Sequence, residues 1–70
     1  MKNVLVLGAG MVARPCVQYL LKQGHRVTVV DTVRERVEHV LGGHENGIPV
    51  VGDGLKEAAR LVPQADLVIS

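Results

Sequence analysis

The chain has 70 residues, a formal net charge of +1 and 47% hydrophobic residues. A chain this short buries only about 60% of the surface that it exposes when unfolded, so the composition predicts one globular unit of marginal stability. A single cysteine excludes an internal disulfide, and scattered basic residues with only one aromatic residue, Tyr19, argue against nucleic acid or an anionic membrane as a partner.

The apolar residues alternate along the chain between two periods. Four short runs are continuous and rich in β-branched residues, which is typical of parallel strands covered on both faces. These predicted strands are residues 4–7, 27–30, 48–51 and 67–69. Between the strands, apolar residues recur every three or four positions and indicate three helices with one buried face each. The three stripes are Val12, Cys16, Val17, Leu20 and Leu21; Val33, Val37, Val40 and Leu41; and Leu55, Ala58, Ala59 and Val62.

The predicted helices end at residues that disfavour a further helical turn. Gly24 and the pair Gly42-Gly43 can take the positive φ that closes a helix, and Pro63 stops the third helix. The resulting order is β-α-β-α-β-α-β with short connections, and it predicts an α/β fold with a parallel sheet.

A glycine-rich turn joins the first strand to the first helix. Residues 8–13 read G-x-G-x-x-A. Gly8 permits the tight turn, Gly10 lacks the Cβ that would block a diphosphate, and Ala13 lets the helix approach the sheet. The free amides and the dipole of the helix would then point at the phosphates. In this context the motif predicts the first half of a Rossmann-like fold, three-layered when complete, rather than a merely structural turn.

An acidic residue follows the second strand at the distance that such a fold requires. Asp31 lies about twenty residues after the turn, where a carboxylate accepts from a ribose 2′-hydroxyl and repels a 2′-phosphate, which favours NAD over NADP. Thr32 belongs to the same candidate site. Asp31 could instead cap the second helix, as could Thr32. Arg34 could hold a 2′-phosphate, or form a solvated helix pair with Glu38.

The remaining polar candidates have simpler explanations. Asp53, after the third strand, either accepts from the adenine amino group or caps the third helix. Cys16 is expected to be a small core residue, and His25, His39 and His44 are expected on the surface with no metal pairing. Pro15 removes a backbone donor from the first helix and should perturb its first turns.

The position of Pro15 is one of the features that resemble a known family. The stretch from Val4 to Pro15, with its Val-x-x-Pro extension, and the ending Asp-Leu-Val-Ile-Ser resemble the amino-terminal segment of the saccharopine dehydrogenase (saccharopine reductase) family. The resemblance implies hydride transfer between a nicotinamide cofactor and the C–N bond of an amino-acid adduct in lysine metabolism. It also implies that Gly8, Gly10, Met11 and Val12 face the diphosphate, Asp31 the ribose and Asp53 the adenine. Ala9 and Thr32, next to these residues, are also expected to bind the cofactor.

The family's substrate-binding residues would lie beyond residue 70, so no catalytic residue is expected within the chain. We therefore expect residues 1–70 to be a partial NAD(P)-binding domain at the amino terminus of a larger enzyme. Its apolar sheet surface would be covered by the remainder of that enzyme or by self-association. A cytoplasmic location is expected, or a mitochondrial one if the parent is eukaryotic.

One alternative comes from another functional class. Regulatory nucleotide-sensing modules that gate potassium transport share the glycine turn, the acidic end of the second strand, a charged second helix and a Val-Val-Gly-Asp stretch such as residues 50–53. Pro15 and the final strand favour the enzyme.

Overall fold

The computed structural model describes all 70 residues. Its strands are β1 (Asn3–Leu7), β2 (Arg26–Asp31), β3 (Gly47–Val51) and β4 (Leu67–Ile69). Its helices are α1 (Ala13–Lys22), α2 (Arg34–Leu41) and α3 (Gly54–Leu61), and a 3-10 turn (Val62–Gln64) continues α3 through Pro63. The order of elements confirms the predicted β-α-β-α-β-α-β pattern.

The four strands form one parallel sheet in the order β3-β2-β1-β4. Val6 of β1 lies opposite Val29 of β2 on one side and opposite Ile69 of β4 on the other. All four strands therefore end at the same edge of the sheet, where an open α/β fold binds its ligands. The arrangement confirms the predicted Rossmann-like first half.

One face of the sheet carries the main core. Ten buried residues form a single cluster from β1, β2, the glycine turn, α1 and α2. They are Val4, Val6, Ala9, Val17, Leu21, Val27, Val29, Val37, Val40 and Leu41. Because neighbouring residues of a strand point to opposite faces, Leu5 and Val30 are buried on the other side, which α3 covers.

The first helix starts later than its apolar stripe predicts, and two residues of that stripe are exposed. Since α1 begins at Ala13, Val12 precedes the helix and is 86% exposed. Val17 and Leu21 are its fully buried residues, and the expectation that Cys16 is a core residue is wrong, because Cys16 is exposed. Pro15 is the third residue of the helix, where an amide has no intrahelical partner to lose, so the expected perturbation of the first turns is absent.

The third helix is rotated about its axis relative to the prediction. The half-buried stripe is Gly54, Glu57, Ala58 and Leu61 instead of the predicted stripe that includes Leu55 and Val62. Leu55 is 86% exposed, and no residue of α3 is fully buried. Both stripes have helical spacing, so periodicity alone does not choose between them.

The helix ends match the sequence more closely. Gly42, directly after α2, and Gly24, one residue beyond the C-cap of α1, have positive φ angles of 60° and 89°. At the same end of α2, the Gln18 amide of α1 donates to the carbonyls of Val40 and Leu41, both at 2.9 Å. None of the helices has both the length and the apolar character needed to cross a membrane.

Candidate dinucleotide-binding site

The glycine turn has the tight geometry that its sequence predicts. Gly8 has a φ of 107°, a region that residues with a Cβ rarely adopt. Its amide donates to the Val30 carbonyl at 2.8 Å, and the Ala13 amide donates back to the Gly10 carbonyl at 3.1 Å. The chain therefore reverses from β1 into α1 over five residues.

Three successive amides at the tip of this turn have no acceptor within the protein. They belong to Gly10, Met11 and Val12, and all three residues are exposed. The Met11 side chain is 98% exposed, and a Cβ added to Gly10 would meet no atom within 4 Å. The first turn of α1 also contains no acidic side chain. An unobstructed row of amides at a helix amino terminus attracts an anion such as a diphosphate.

The Asp31 carboxylate lies against the turn. Its Oδ2 accepts from the Ala9 amide at 2.9 Å, and its Oδ1 accepts from the Val33 amide at 2.9 Å. These amides, with a smaller contribution from the positive charge of Arg36, hold the pKa of the Asp31 carboxyl below its ordinary value despite partial desolvation, which raises it. Asp31 is therefore ionised at neutral pH.

The alternative interpretation of Asp31 and Thr32 as caps of α2 is wrong. The residue in the N-cap position is Val33, and no side chain accepts from the first amides of the helix. The Asp31 bond to the Val33 amide instead closes a local turn before α2 begins. Asp31 and Thr32 thus remain available, in part, to a ligand.

The carboxyl ends of the strands enclose a depression of about 480 Å³. It brings together four of the predicted site residues, Gly8, Asp31, Thr32 and Asp53. Ala9, Gly10 and Met11 line a neighbouring depression of about 660 Å³, and Val12 lines a third, more apolar one of about 340 Å³ on the β4 side of the turn. The predicted site residues are therefore contiguous around the turn, although they do not share a single pocket.

Asp53 caps α3, which was one of its two predicted roles. Its Oδ1 accepts from the Leu55 amide at 2.8 Å and from the Lys56 amide at 3.4 Å. Its Oδ2 makes no hydrogen bond within the protein. One oxygen therefore remains for a ligand donor in the depression that it lines.

Two residues at the site were missed by the sequence reasoning. Arg36 lines the depression that contains Asp31 and also the neighbouring one that contains Ala9, whereas Arg34, the predicted cation, lines neither. The Arg34–Glu38 pair does not form, since the ion pair of the chain joins Arg60 to Glu57. Leu55 exposes its side chain at the rim of the depression near Asp53. The sequence alone could not show that Arg36 faces the site, because that depends on the residue at which α2 begins. A shift of the helix start by one residue changes the direction of each side chain by about 100°.

Comparison with known proteins agrees with this geometry. A family model of the shikimate/quinate 5-dehydrogenases matches residues 1–70. The chain belongs to the shikimate/quinate 5-dehydrogenase family. The parallel sheet and the open glycine turn agree with membership of this dehydrogenase family.

Two curated relatives confirm the resemblance that was based on the glycine turn and Pro15. The bovine (Bos taurus) mitochondrial alpha-aminoadipic semialdehyde synthase is 40% identical over 73 residues, which cover 99% of this chain and 8% of that protein. A Pyricularia oryzae saccharopine dehydrogenase [NADP(+), L-glutamate-forming] is 37% identical over 71 residues, which cover 99% of this chain and 16% of that protein. The chain thus spans less than a fifth of the length of either relative.

Proposed function

We propose that the chain binds the ADP part of a nicotinamide dinucleotide at the carboxyl edge of its sheet, with NAD preferred to NADP. The observation that carries the proposal is the row of free amides on Gly10, Met11 and Val12, which no side chain obstructs. Diphosphate is the part of the cofactor that such amides bind. When bound, the nicotinamide ring supplies hydride transfer.

The groups around the turn support assignments for the rest of the cofactor. Each Asp31 oxygen that accepts one backbone amide retains a second lone pair, which can accept from a ribose hydroxyl. Thr32 lies beside it in the same depression. The free Oδ2 of Asp53 can accept from the adenine amino group, and the exposed Leu55 side chain offers that ring an apolar contact.

The preference for NAD depends on the balance between one negative and one positive charge. Asp31 is ionised and would repel a 2′-phosphate, whereas Arg36 next to it would attract one. The carboxylate lies directly against the turn, and two backbone amides hold it in place. We therefore assign the preference to NAD. The name of the fungal relative specifies NADP(+) as the cofactor of that protein, and this specification is not transferred to the present chain.

The reaction of the whole protein is a further part of the proposal. Since both relatives are much longer, we propose that residues 1–70 form one portion of a longer oxidoreductase, with its substrate residues elsewhere. The similarity favours chemistry at the C–N bond of saccharopine or a related adduct, in lysine metabolism, over the potassium-gating sensor. A cytoplasmic or mitochondrial location belongs to the same proposal.

Titration calorimetry with NAD and NADP tests the assignment. Gly10→Val should weaken the binding of both cofactors by at least about tenfold, because the added side chain projects into the space over the amides. Gln23→Ala, at the opposite end of α1, is the matched control and should bind like the wild type. Equal affinity of Gly10→Val and the wild type would contradict the diphosphate site, and tighter binding of NADP would contradict the preference for NAD.

A further inference from the structure

A single carboxylate joins two loops at the edge of the sheet. Asp31 accepts through Oδ2 from Ala9 in the glycine turn and through Oδ1 from Val33 in the connection to α2. Its own backbone lies in β2, with its Cα opposite Val51 of β3. The side chain therefore connects the glycine turn to the end of β2 and to the connection that follows it.

Few other contacts hold the turn in its shape. Its remaining hydrogen bonds are those from the Gly8 amide to Val30 and from the Ala13 amide to Gly10. Only the Ala9–Asp31 bond reaches the turn from a side chain, and it falls on the residue directly before the three free amides. Ala9 is also a buried member of the core, so its position sets where the tip of the turn projects.

We propose that Asp31 is a positioning residue for the diphosphate, in addition to any contact with the ribose. By accepting from Ala9 and Val33, its carboxylate fixes the turn so that the amides of Gly10, Met11 and Val12 stay free and point in one direction. The inference rests on the proposed function, since it assigns a second role at the same site.

The chemistry of an amide replacement separates the two roles. Asparagine offers one acceptor oxygen and one donor nitrogen, so in Asp31→Asn one of the two backbone amides faces another donor. The side chain loses its charge as well, and with it the stronger, charge-assisted hydrogen bonds. A purely ribose-binding Asp31 would affect only ligands that carry a ribose, whereas a positioning Asp31 also affects a bare phosphate.

Other charged groups face the same region and must be controlled. Arg36, Glu35 and His39 of α2 line the depression beside Ala9, and Asp53 lines the one beside Asp31. A matched control avoids all of them. Asp66 accepts from the backbone amide of Asn3 at 2.7 Å at the opposite end of the sheet, so Asp66→Asn makes the same chemical change away from the turn.

The experiment records amide NMR spectra of the 70-residue chain and titrates it separately with inorganic pyrophosphate and with adenosine. In the wild type, pyrophosphate should shift the amides of residues 10–12. In Asp31→Asn the chemical shifts of these amides and of the Ala9 amide should differ from the wild type before any ligand is added. Pyrophosphate should bind about tenfold more weakly, although the substitution also removes a negative charge that repels it. Asp66→Asn should leave residues 9–12 and pyrophosphate binding unchanged.

The outcomes distinguish the inference from the function on which it rests. Unchanged turn amides and unchanged pyrophosphate affinity in Asp31→Asn, with a loss confined to adenosine, would overturn the positioning role and keep the site. A wild type that responds to neither ligand would overturn the proposed function, while the ligand-free spectra still test the positioning role.

If Asp31→Asn fails to fold, an acid titration of the ligand-free wild type provides the test. The Ala9 and Val33 amides should then shift together with one midpoint, the ionisation of Asp31, and the amides of residues 10–12 should follow the same midpoint. Independent midpoints for Ala9 and Val33, or no response of residues 10–12, would overturn the inference.

Discussion

The two faces of the sheet are packed very differently. On one face, α1 and α2 lie side by side and bury a continuous cluster with β1 and β2. On the other, α3 stands alone, and none of its residues is fully buried. Two helices exclude water from the strip of sheet between them, whereas a single helix leaves both of its flanks open. The tight face therefore supplies most of the hydrophobic stabilisation, and the α3 face is the part that other structure or a ligand can complete.

The largest predicted effect compares one leucine from each face. Leu21→Ala should lower the free energy of unfolding by about 2–5 kcal/mol, because Leu21 is only 2% exposed within the core. Leu55→Ala should change it by less than about 0.5 kcal/mol, because Leu55 is largely in solvent. Urea denaturation followed by circular dichroism measures both. Equal losses would show that the α3 face is as tightly packed as the other.

Substitutions in the glycine turn, at the edge of the sheet between the two faces, test whether backbone strain limits the stability of the turn. Gly8→Ala should cost about 1–3 kcal/mol in stability, because alanine is strained at a φ of 107°. Gly10→Ala, where the added Cβ meets no protein atom, should leave stability within about 0.5 kcal/mol of the wild type. The same denaturation measurement applies. A loss at Gly10 as large as that at Gly8 would mean that space, and not backbone strain, limits the turn.

Removing a cap tests how weakly α3 is held. Asp53→Ala should lower stability by about 1 kcal/mol, since the Leu55 and Lys56 amides lose their acceptor. Amide hydrogen exchange should accelerate in α3 and stay unchanged in α1 and β1, because the loose face opens locally. Thr32→Ala, whose side chain caps no helix, is the control. Uniform acceleration throughout the chain would contradict separate opening of the two faces.

The smallest predicted effect is a change in the stability contribution of Asp31 at acidic pH. The folded-state pKa of Asp31 is lowered, chiefly by the Ala9 amide, so its stabilising contribution is complete above the unfolded value of about 4 and is lost as the pH falls through the lower folded value. The stability difference between the wild type and Asp31→Asn should therefore be constant near neutrality and shrink below about pH 4. Denaturant midpoints at several pH values measure it, and a difference that grows towards acid would reverse the assigned direction.

Most of the fold could be predicted from local pattern. Each strand was found to within one residue at either end, and the glycines after α1 and α2 close those helices as expected. The glycine turn was also predictable, because its conformation depends on residues next to one another in the chain. The roles of the site residues stay predictions until a ligand is measured.

The errors about exposure concern which side of an element faces its neighbours. Cys16 and Leu55 fit apolar stripes, yet both are exposed, because neither side chain lies on the face that its helix packs against the sheet. Arg36 was overlooked in favour of Arg34 for the same reason. A helical stripe gives the spacing of buried residues but not the direction of the helix relative to the sheet.

By itself, the sequence determined the order of elements, the parallel sheet and the shape of the glycine turn. These follow from backbone preferences and hydrophobic period, which act over a few residues. Only the tertiary structure decided that Asp31 binds the Ala9 amide 22 residues away, that Gln18 caps the end of α2, and that α3 covers its face loosely. Such contacts depend on the distance and orientation of segments far apart in the chain, which no local pattern records.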